Sequence, residues 1–326
     1  MNKKFQFLLK ITLGLLIGIF LVNYLVSSVN YKNVLHYINN VKWEYFVICI
    51  FFSFFSNVLR ALRWAVLLED SGYKVSRIGL ICGTFFGFFI NILIPRGGEI
   101  ARCTSMTYKY GLPANKLLGT ILLERVIDFI MLLILILLVT IVNVQLFGYF
   151  FAEKLHFLIE TLLSSWKVAG LLFVIGILVV YMLIRLKYKF SFVKKVSNFL
   201  NGIVDGLKSV QQLKRRGLFI FYTIGIWLFY ILMTYVPFYA FTDLENLGLV
   251  NAMFVLILGG IGMIIPTPGG LGSYHVVVIE GITSVLEISR DVSTAYAFTS
   301  HSLITLYTLF VGLFCALFIF KGKRYV

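Results

Sequence analysis

The feature that most constrains this chain is a series of apolar runs close to or above the ~18–20 residues that cross a bilayer as a helix. Six of these runs have the length of full spans: residues 5–27, 44–68, 117–142, 166–184, 217–241 and 292–320. Of the 326 residues, 60% are hydrophobic and 13% are charged, whereas ordinary soluble domains have about 45–50% and about 25%. The pattern predicts an all-α polytopic membrane protein that forms one integral membrane domain over residues 1–326.

Two further apolar segments, about 78–94 and 249–265, stop at clusters of Pro and Gly. If both return to the side from which they entered, the full spans alternate and both termini lie in the cytoplasm. That arrangement places 23 of the 29 Lys and Arg residues inside, five outside and one within a span. Because Lys and Arg concentrate in cytoplasmic loops, it predicts a multi-pass protein of the cell membrane. The net charge of +15 then implies no nucleic acid partner.

The broken segments divide the chain into two similar parts. In each part a span, a broken segment and a second span follow one another. The spacing also agrees: Trp64 and Pro95 are 31 positions apart, and so are Pro237 and Pro268. Because the two parts enter the membrane from opposite sides, the pattern predicts an inverted repeat with two oppositely oriented re-entrant hairpins, which is a common setting for transport sites. The predicted order is a first helix and outer loop, repeat one, a connecting helix with an amphipathic cytoplasmic segment, and repeat two, over residues 1–40, 41–142, 143–216 and 217–326.

The first broken segment reads NILIPRGGEIAR and carries charge where its backbone turns. Irregular backbone at membrane depth needs protein or water to satisfy its amides, and a helix that restarts after a break presents an N-terminus that attracts anions. Arginine strengthens that attraction, and glycine lets a ligand approach the backbone. We therefore predict an anion site, suited to a phosphate group, at Asn91, Pro95, Arg96, Gly97, Gly98, Glu99 and Arg102.

The second broken segment, PTPGGLGSYH, has the same features with fewer charges. It predicts a second cluster of exposed amides followed by polar side chains. The residues concerned are Pro266, Pro268, Gly269, Gly270, Gly272, Ser273 and His275. The alternative for either segment is a hairpin turn that binds no ligand.

Charged residues also lie inside the predicted spans, where each is costly unless it is paired or hydrated. Arg125 is three positions from Asp128, so we expect these two to pair along the helix. We expect Glu124 to pair with a basic residue of the first break. Arg60 and Arg63 share a helix face, and their guanidinium groups suit bidentate binding of phosphate. The alternatives are an ion-pair cluster that only joins helices and ordinary anchoring at the cytoplasmic surface.

Glu280 and His301 are further ionisable residues of the apolar segments, and either can carry a proton in a coupled cycle. The alternative for His301 is a hydrogen-bonded interior residue. The four cysteines are scattered without a CxxC pair, so the sequence predicts no metal site, no disulfide framework and no cofactor.

Four motifs, LRALRW, NILIPRGGEIAR, LLERVIDFI and PTPGGLGSYH, occur in this order over much of the chain. With them the chain resembles the flippase-like integral membrane family named for the transmembrane region of lysylphosphatidylglycerol synthase, whose best-known member is the multiple peptide resistance factor. The resemblance implies a lipid-translocating membrane domain with inverted broken segments around a central cavity. Many members have Glu where this chain has His275, so the resemblance implies no carboxylate at this position.

In two-part members of that family a soluble synthetase domain makes the aminoacylated lipid that the membrane domain moves. This sequence ends six residues after its last predicted span, so we expect no transferase activity and a separate lipid-modifying enzyme as a possible partner. The expected substrate is a membrane lipid: an anionic or modified phospholipid, a glycolipid or a polyprenyl-phosphate-linked lipid. Two alternatives stay open: an intramembrane hydrolase or lipid-linked transferase with Ser273 as nucleophile and His301 as base, and a scaffold for envelope-lipid enzymes. The lipid, the direction of transport and the oligomeric state, a homo-oligomer included, also stay open.

Overall fold

The computed structural model describes residues 3–144, 148 and 208–321. Short 3₁₀ turns follow the helix that ends at Tyr235, and another lies in the second break. In this part of the chain the α-helices are α1 (Lys3–Ser27), α2 (Tyr31–Asn39), α3 (Trp43–Asp70), α4 (Arg77–Leu93), α5 (Gly98–Tyr110), α6 (Ala114–Val142), α7 (Arg216–Tyr235), α8 (Leu249–Gly262), α9 (Ser273–Val285) and α10 (Arg290–Lys321). The described residues contain no β-strand, and the all-α prediction is confirmed.

Helices of membrane-spanning length match the predicted spans. Four stretches of the described chain are long and apolar enough to cross a membrane: α3, α6, Arg216–Ala240 and α10. The predicted span at 5–27 corresponds to α1, which runs over Lys3–Ser27. The predicted span at 166–184 lies outside the described residues, and so does the amphipathic segment up to residue 207.

Both breaks fall where the sequence predicts them. Helix α4 ends at Leu93, and Ile94 is extended (φ −129°, ψ 113°), because the ring of a following proline disfavours helical backbone at the residue before it. Helix α8 ends at Gly262, and α9 begins at Ser273; between them Gly269, Gly270 and Gly272 have positive φ angles, a left-handed conformation that glycine adopts readily. The chain therefore restarts as a helix within a few residues of each break instead of crossing as one rod.

Each break joins two helices that pack against each other in antiparallel fashion. In the first hairpin, a Cβ at Gly83 would lie 2.7 Å from Met106 Cε, and one at Gly87 would lie 3.0 Å from the carbonyl oxygen of Gly98. Small residues on α4 therefore allow the backbones of α4 and α5 to approach closely. Helices α8 and α9 form the second hairpin in the same way.

The tips of the two hairpins touch each other. The Arg96 guanidinium donates to the carbonyl oxygen of Ile264 at 3.0 Å, and Gly269 packs beside the backbone of Ile92. Helix α1 closes this contact, since a Cβ at Gly14 would lie 2.7 Å from the Pro266 carbonyl oxygen. The breaks, which are more than 160 residues apart in the chain, thus form one junction.

The two parts of the chain pack along α3 and α7. Cys49 contacts the backbone of Met233 near one end of the pair, and Arg63 contacts Thr223 near the other, so the helices run antiparallel. Each hairpin also packs against the last helix of the other part: α4 contacts α10, and α8 contacts α6. A core of buried apolar residues around α8, α9 and the start of α10 holds the second hairpin in place.

Candidate functional site

Five charged residues from three helices form a buried group that we call the basic cluster. Spacings of three and four residues place the members from α3 and from α6 on one face of each helix, and the member from α5 follows the first break. The basic cluster consists of Arg60, Arg63, Arg102, Glu124 and Asp128. All five were predicted as site residues, and the fold brings them into contact.

Asp128 holds the two arginines of α3. Its two carboxylate oxygens accept hydrogen bonds from Arg60 Nη1 and Arg63 Nη1, each at 2.8 Å. The expected pair between Asp128 and Arg125 is wrong, because Arg125 turns away and binds Glu99 at 2.9 Å. A carboxylate between two buried guanidinium groups gains two charge-assisted hydrogen bonds, which the single neighbour on its own helix cannot match.

Glu124 joins the first break to the cluster. It accepts a hydrogen bond from Arg102 Nη1 at 2.7 Å and lies 3.6 Å from Arg63 Nε. The expectation that Glu124 pairs with a basic residue of the first break is therefore confirmed. The Arg102 guanidinium also stacks on the indole of Trp64, 3.8 Å from the ring centroid, a favourable cation–π position.

The second part of the chain contributes residues that sequence reasoning missed. Tyr230 of α7 accepts a hydrogen bond from Arg60 Nη2 at 2.7 Å, and Thr223 of the same helix lies 3.4 Å from Arg63 Nη1. Both are neutral residues inside an apolar span, where hydroxyl groups are common. Their sequence carried no signal, since their role depends on the antiparallel contact between α3 and α7.

The basic cluster has more donors and more positive charge than it can satisfy. Three arginines and two carboxylates leave a net charge of +1. Buried nitrogen atoms on all three arginines have no hydrogen-bond partner, among them Arg102 Nε and Nη2 and Arg63 Nη2. Buried donors of this kind are costly unless a partner satisfies them. Glu124 Oε1 likewise lacks a hydrogen-bond partner and lies 3.6 Å from Arg63 Nε, so the cluster combines unsatisfied donors and one unsatisfied acceptor with an excess of one positive charge.

A narrow, partly open pocket of about 10 Å³, room for about one water molecule, lies against this cluster. The buried hydroxyl of Thr84 has no partner and lines the pocket with the start of α5. The Asn91 side chain accepts a hydrogen bond from the Gly98 amide at 2.7 Å, so one amide at the start of α5 is satisfied. The positive end of the helix dipole at this N-terminus still favours anions. The lining residues are Arg60, Thr84, Gly87, Phe88, Asn91, Gly98, Glu99, Arg102 and Arg125.

Arg96 and Pro95 lie in the junction between the breaks and not in the basic cluster. Arg96 has a left-handed backbone (φ 59°), which is strained for a residue with a side chain. That conformation lets its side chain reach Ile264, two residues after the end of α8 in the opposite hairpin. Pro95 and Gly97 pack with Gly14 and Ile94 respectively, so they shape the turn.

The second break satisfies most of its polar groups internally. The hydroxyls of Thr267 and Ser273 are hydrogen-bonded at 2.8 Å, and Ser273 also donates to the Gly270 carbonyl oxygen. Three glycines adopt positive φ angles, namely Gly269, Gly270 and Gly272. Pro266 and Pro268 lie beside Gly14 of α1.

Two histidines hold this break. The Gly272 amide donates to His275 Nδ1 at 3.2 Å, and His301 Nε2 lies 3.0 Å from the Gly269 carbonyl oxygen. Ser273 has its own hydroxyl and carbonyl partners, so the suggested nucleophile and base, Ser273 and His301, are each engaged elsewhere.

Glu280 lies apart from both groups. Its carboxylate binds Arg290 at 2.8 Å near the start of α10, and Arg290 also donates to Ser28 after α1. Glu280 therefore joins helices at the end of the molecule away from the breaks.

Comparison with known proteins identifies a matching protein family. The model of the family described as the lysylphosphatidylglycerol synthase TM region matches residues 11–314. A UPF0104 membrane protein of Methanocaldococcus jannaschii is 23% identical to this chain over 308 residues, which cover 88% of each protein. The matched family model describes a transmembrane region alone.

Proposed function

Because the chain belongs to the family of the lysylphosphatidylglycerol synthase transmembrane region and is an integral membrane protein, we propose that it moves an anionic lipid between the two leaflets of the membrane. The phosphate-bearing headgroup passes through the pocket beside the basic cluster. The acyl or polyprenyl chains stay in the surrounding bilayer.

The observation that carries this proposal is the unsatisfied basic cluster. The basic cluster has a net charge of +1 and several buried donors without partners. It borders a pocket that begins at the N-terminus of α5. A phosphate group offers several acceptor oxygens and negative charge, and arginine binds it through a bidentate fork. A cluster that served only to join helices would be more stable with its charges balanced.

The packing of the two parts supports an alternating mechanism. If α3 corresponds to α7, α4 to α8, α5 to α9 and α6 to α10, then the contact of α4 with α10 and that of α8 with α6 are equivalent. The antiparallel pairing of α3 and α7 agrees with opposite orientations in the membrane. Both features suit an inverted repeat with two re-entrant hairpins, in which one part rocks against the other.

The charge distribution supports an orientation in the cell membrane with both termini in the cytoplasm, because 23 Lys and Arg residues then lie inside and five outside. In this orientation the C-terminal half of α3, which carries Arg60 and Arg63, lies toward the cytoplasmic leaflet. The pocket therefore receives headgroups from that leaflet. A separate enzyme that modifies the lipid is the partner that this arrangement suits.

The enzyme alternative has weaker support. Ser273 is fully buried and binds Thr267, whereas His301 binds a backbone carbonyl of the break. A nucleophile needs its base within hydrogen-bond reach. The contacts of these two residues favour a structural role for Ser273.

The test is a translocation assay with purified protein in liposomes. Fluorescent phosphatidylglycerol, phosphatidylcholine and a polyprenyl phosphate are compared, and dithionite or an enzyme reads access to each leaflet. Arg102→Gln is expected to slow movement of the phosphate lipids about tenfold or more, since one charge-assisted hydrogen bond contributes about 1.5–3 kcal/mol. Arg77→Gln is the matched control, because Arg77 lies exposed at the start of α4 and pairs with Glu69.

Two outcomes contradict the proposal. One is that no lipid moves faster than in protein-free liposomes although the protein is folded and inserted. The other is that Arg102→Gln and Arg77→Gln transport equally well, which would show that the basic cluster takes no part.

A further inference from the structure

The two histidines of the second break are placed to bind a proton. Their ring centroids lie 4.8 Å apart, and the imidazole of His275 also stacks on Phe298 at 4.1 Å. His275 is fully buried, and its Nε2 has no hydrogen-bond partner. Each ring holds one backbone group of the break, Gly272 or Gly269.

These backbone partners determine which ring nitrogen carries a hydrogen. An amide only donates, so His275 Nδ1 must offer its lone pair to Gly272, and neutral His275 carries its hydrogen on Nε2. A carbonyl only accepts, so His301 must carry a hydrogen on the Nε2 that faces Gly269. The two imidazoles therefore have opposite hydrogen-bonding roles.

A proton affects the two rings differently. When a proton from water binds Nδ1 of His275, this atom becomes a donor and can no longer accept from the Gly272 amide. When one binds Nδ1 of His301, the bond from Nε2 to Gly269 remains. Two imidazolium rings at this distance repel each other. We infer that His275 and His301 form a proton-binding site that takes one proton between them, and that a proton on His275 releases the second break.

The surroundings leave these two rings as the titratable pair of the break. Tyr274 stacks on His301 at 4.7 Å, and Tyr296 of α10 lies near Tyr274. The nearest described charges on the same helices, Glu280 and Arg290, bind each other. On α1 and α8, residues that lie against the break include Gly14, Gly18, Leu21, Gly259, Gly262 and Met263, none of which titrates, and from the first hairpin the charged Arg96 reaches the break at Ile264.

Release of the break reaches the basic cluster through the junction. Gly269 packs on Ile92, and Arg96 binds Ile264. Asn91, next to Ile92, holds the first amide of α5, and Arg102 of that helix binds Glu124. Protonation thus couples to headgroup binding, and this coupling rests on the proposed function.

Substitution by glutamine separates the proton from the hydrogen bond. Position 275 is the third residue after the helix cap at Gly272, where glutamine commonly accepts from the cap amide. His275→Gln therefore keeps an acceptor for Gly272 and cannot bind a proton near neutral pH. His301→Gln keeps a donor for Gly269. His36→Gln is the control, since His36 lies in α2, far along the chain from the break.

The first experiment is an NMR titration of the full-length protein with ¹⁵N-labelled histidine. The chain has four histidines, and the glutamine variants assign their signals. We expect His275 at high pH to carry hydrogen on Nε2 and His301 to carry it on Nε2, and we expect each variant to shift the titration of the remaining partner. The inference is overturned if neither ring titrates between pH 4 and 9, or if the two rings titrate independently.

The second experiment measures lipid movement in liposomes between pH 5 and 8. A one-proton step changes the rate by at most tenfold per pH unit, and we expect a pH dependence in the wild type and in His36→Gln that His275→Gln lacks. If His275→Gln keeps the full pH dependence, the inference fails and the proposed function stands. If the rings titrate as a coupled pair while no lipid moves at any pH, the proton site stands and the proposed function fails.

Discussion

Replacement of Asp128 by asparagine tests whether the basic cluster is balanced as its contacts indicate. Asp128→Asn keeps the size of the side chain and removes one negative charge, so the net charge of the cluster rises from +1 to +2. The side chains of Arg60 and Arg63 are only 6% and 0% exposed. Arg60 then loses its carboxylate partner, and Arg63 keeps only Glu124 at 3.6 Å, in a site with little access to water.

The size of the effect follows from this burial. Leaving a buried charge without its partner costs about 3–5 kcal/mol. Of the two bonds of 2.8 Å, one becomes a bond to a neutral amide oxygen, and the other is lost because an amide NH₂ donor then faces a guanidinium. We therefore expect the free energy of unfolding to fall by about 3–5 kcal/mol. Asp128→Asn combined with Arg60→Gln restores the net charge of +1, so this double variant is expected to recover a large part of the loss, as coupled neighbours do.

The assay is reversible unfolding in mixed micelles, followed by circular dichroism as the fraction of denaturing detergent rises. Glu245→Gln is the matched control for carboxylate-to-amide replacement. Its pair with Lys42 is 3.8 Å long and about half exposed, so the change is expected to cost at most about 1 kcal/mol. A cost for Asp128→Asn no larger than that of Glu245→Gln would refute the reasoning, and so would a double variant less stable than Asp128→Asn.

Three further outcomes are expected. Gly14→Ala is expected to destabilise the protein by about 1–3 kcal/mol, because its Cβ would lie 2.7 Å from the Pro266 carbonyl oxygen. Gly119→Ala, in open space on α6, is the control and is expected to be neutral or stabilising by up to about 1 kcal/mol. The same unfolding assay compares the two variants, and equal effects would contradict the junction. Arg96→Gly removes the strain at φ 59°, so its unfolding free energy is expected to stay within about 1 kcal/mol of the wild type while lipid transport falls, and unchanged transport would exclude a role for the Arg96 side chain. Cysteines at Gly248 and Asn115 are expected to react with impermeant maleimide from outside and inside the cell respectively, and labelling from the opposite sides would invert the proposed topology.

The positions of the helices and of their breaks could be predicted from local properties. A helix spans a bilayer when its apolar run is long enough, and it ends where proline or glycine prevents its continuation. Both properties are read from neighbouring residues, so α3, α6 and α10 and the break at Pro95 lie where the sequence places them. The charged residues were predicted as a set because burial of charge in an apolar span is costly wherever it occurs.

The partners of these residues could not be predicted, because pairing depends on contacts between distant segments. Arg125 is three positions from Asp128 on the same helix, yet Asp128 binds Arg60 and Arg63, more than 60 positions earlier. Nothing in the local sequence of Tyr230 indicates that it contacts Arg60.

The sequence by itself therefore determined that this chain is a bundle of apolar helices with two breaks and a small set of buried charges. Only the tertiary structure decided that the two breaks meet at one junction, and that Arg96 belongs to this junction while Arg102 belongs to the basic cluster. The physical reason is that helix length and helix ends are set within a few residues, whereas a salt bridge or a junction requires two distant segments to be packed in one orientation. Arg96 and Ile264, for example, are 168 positions apart.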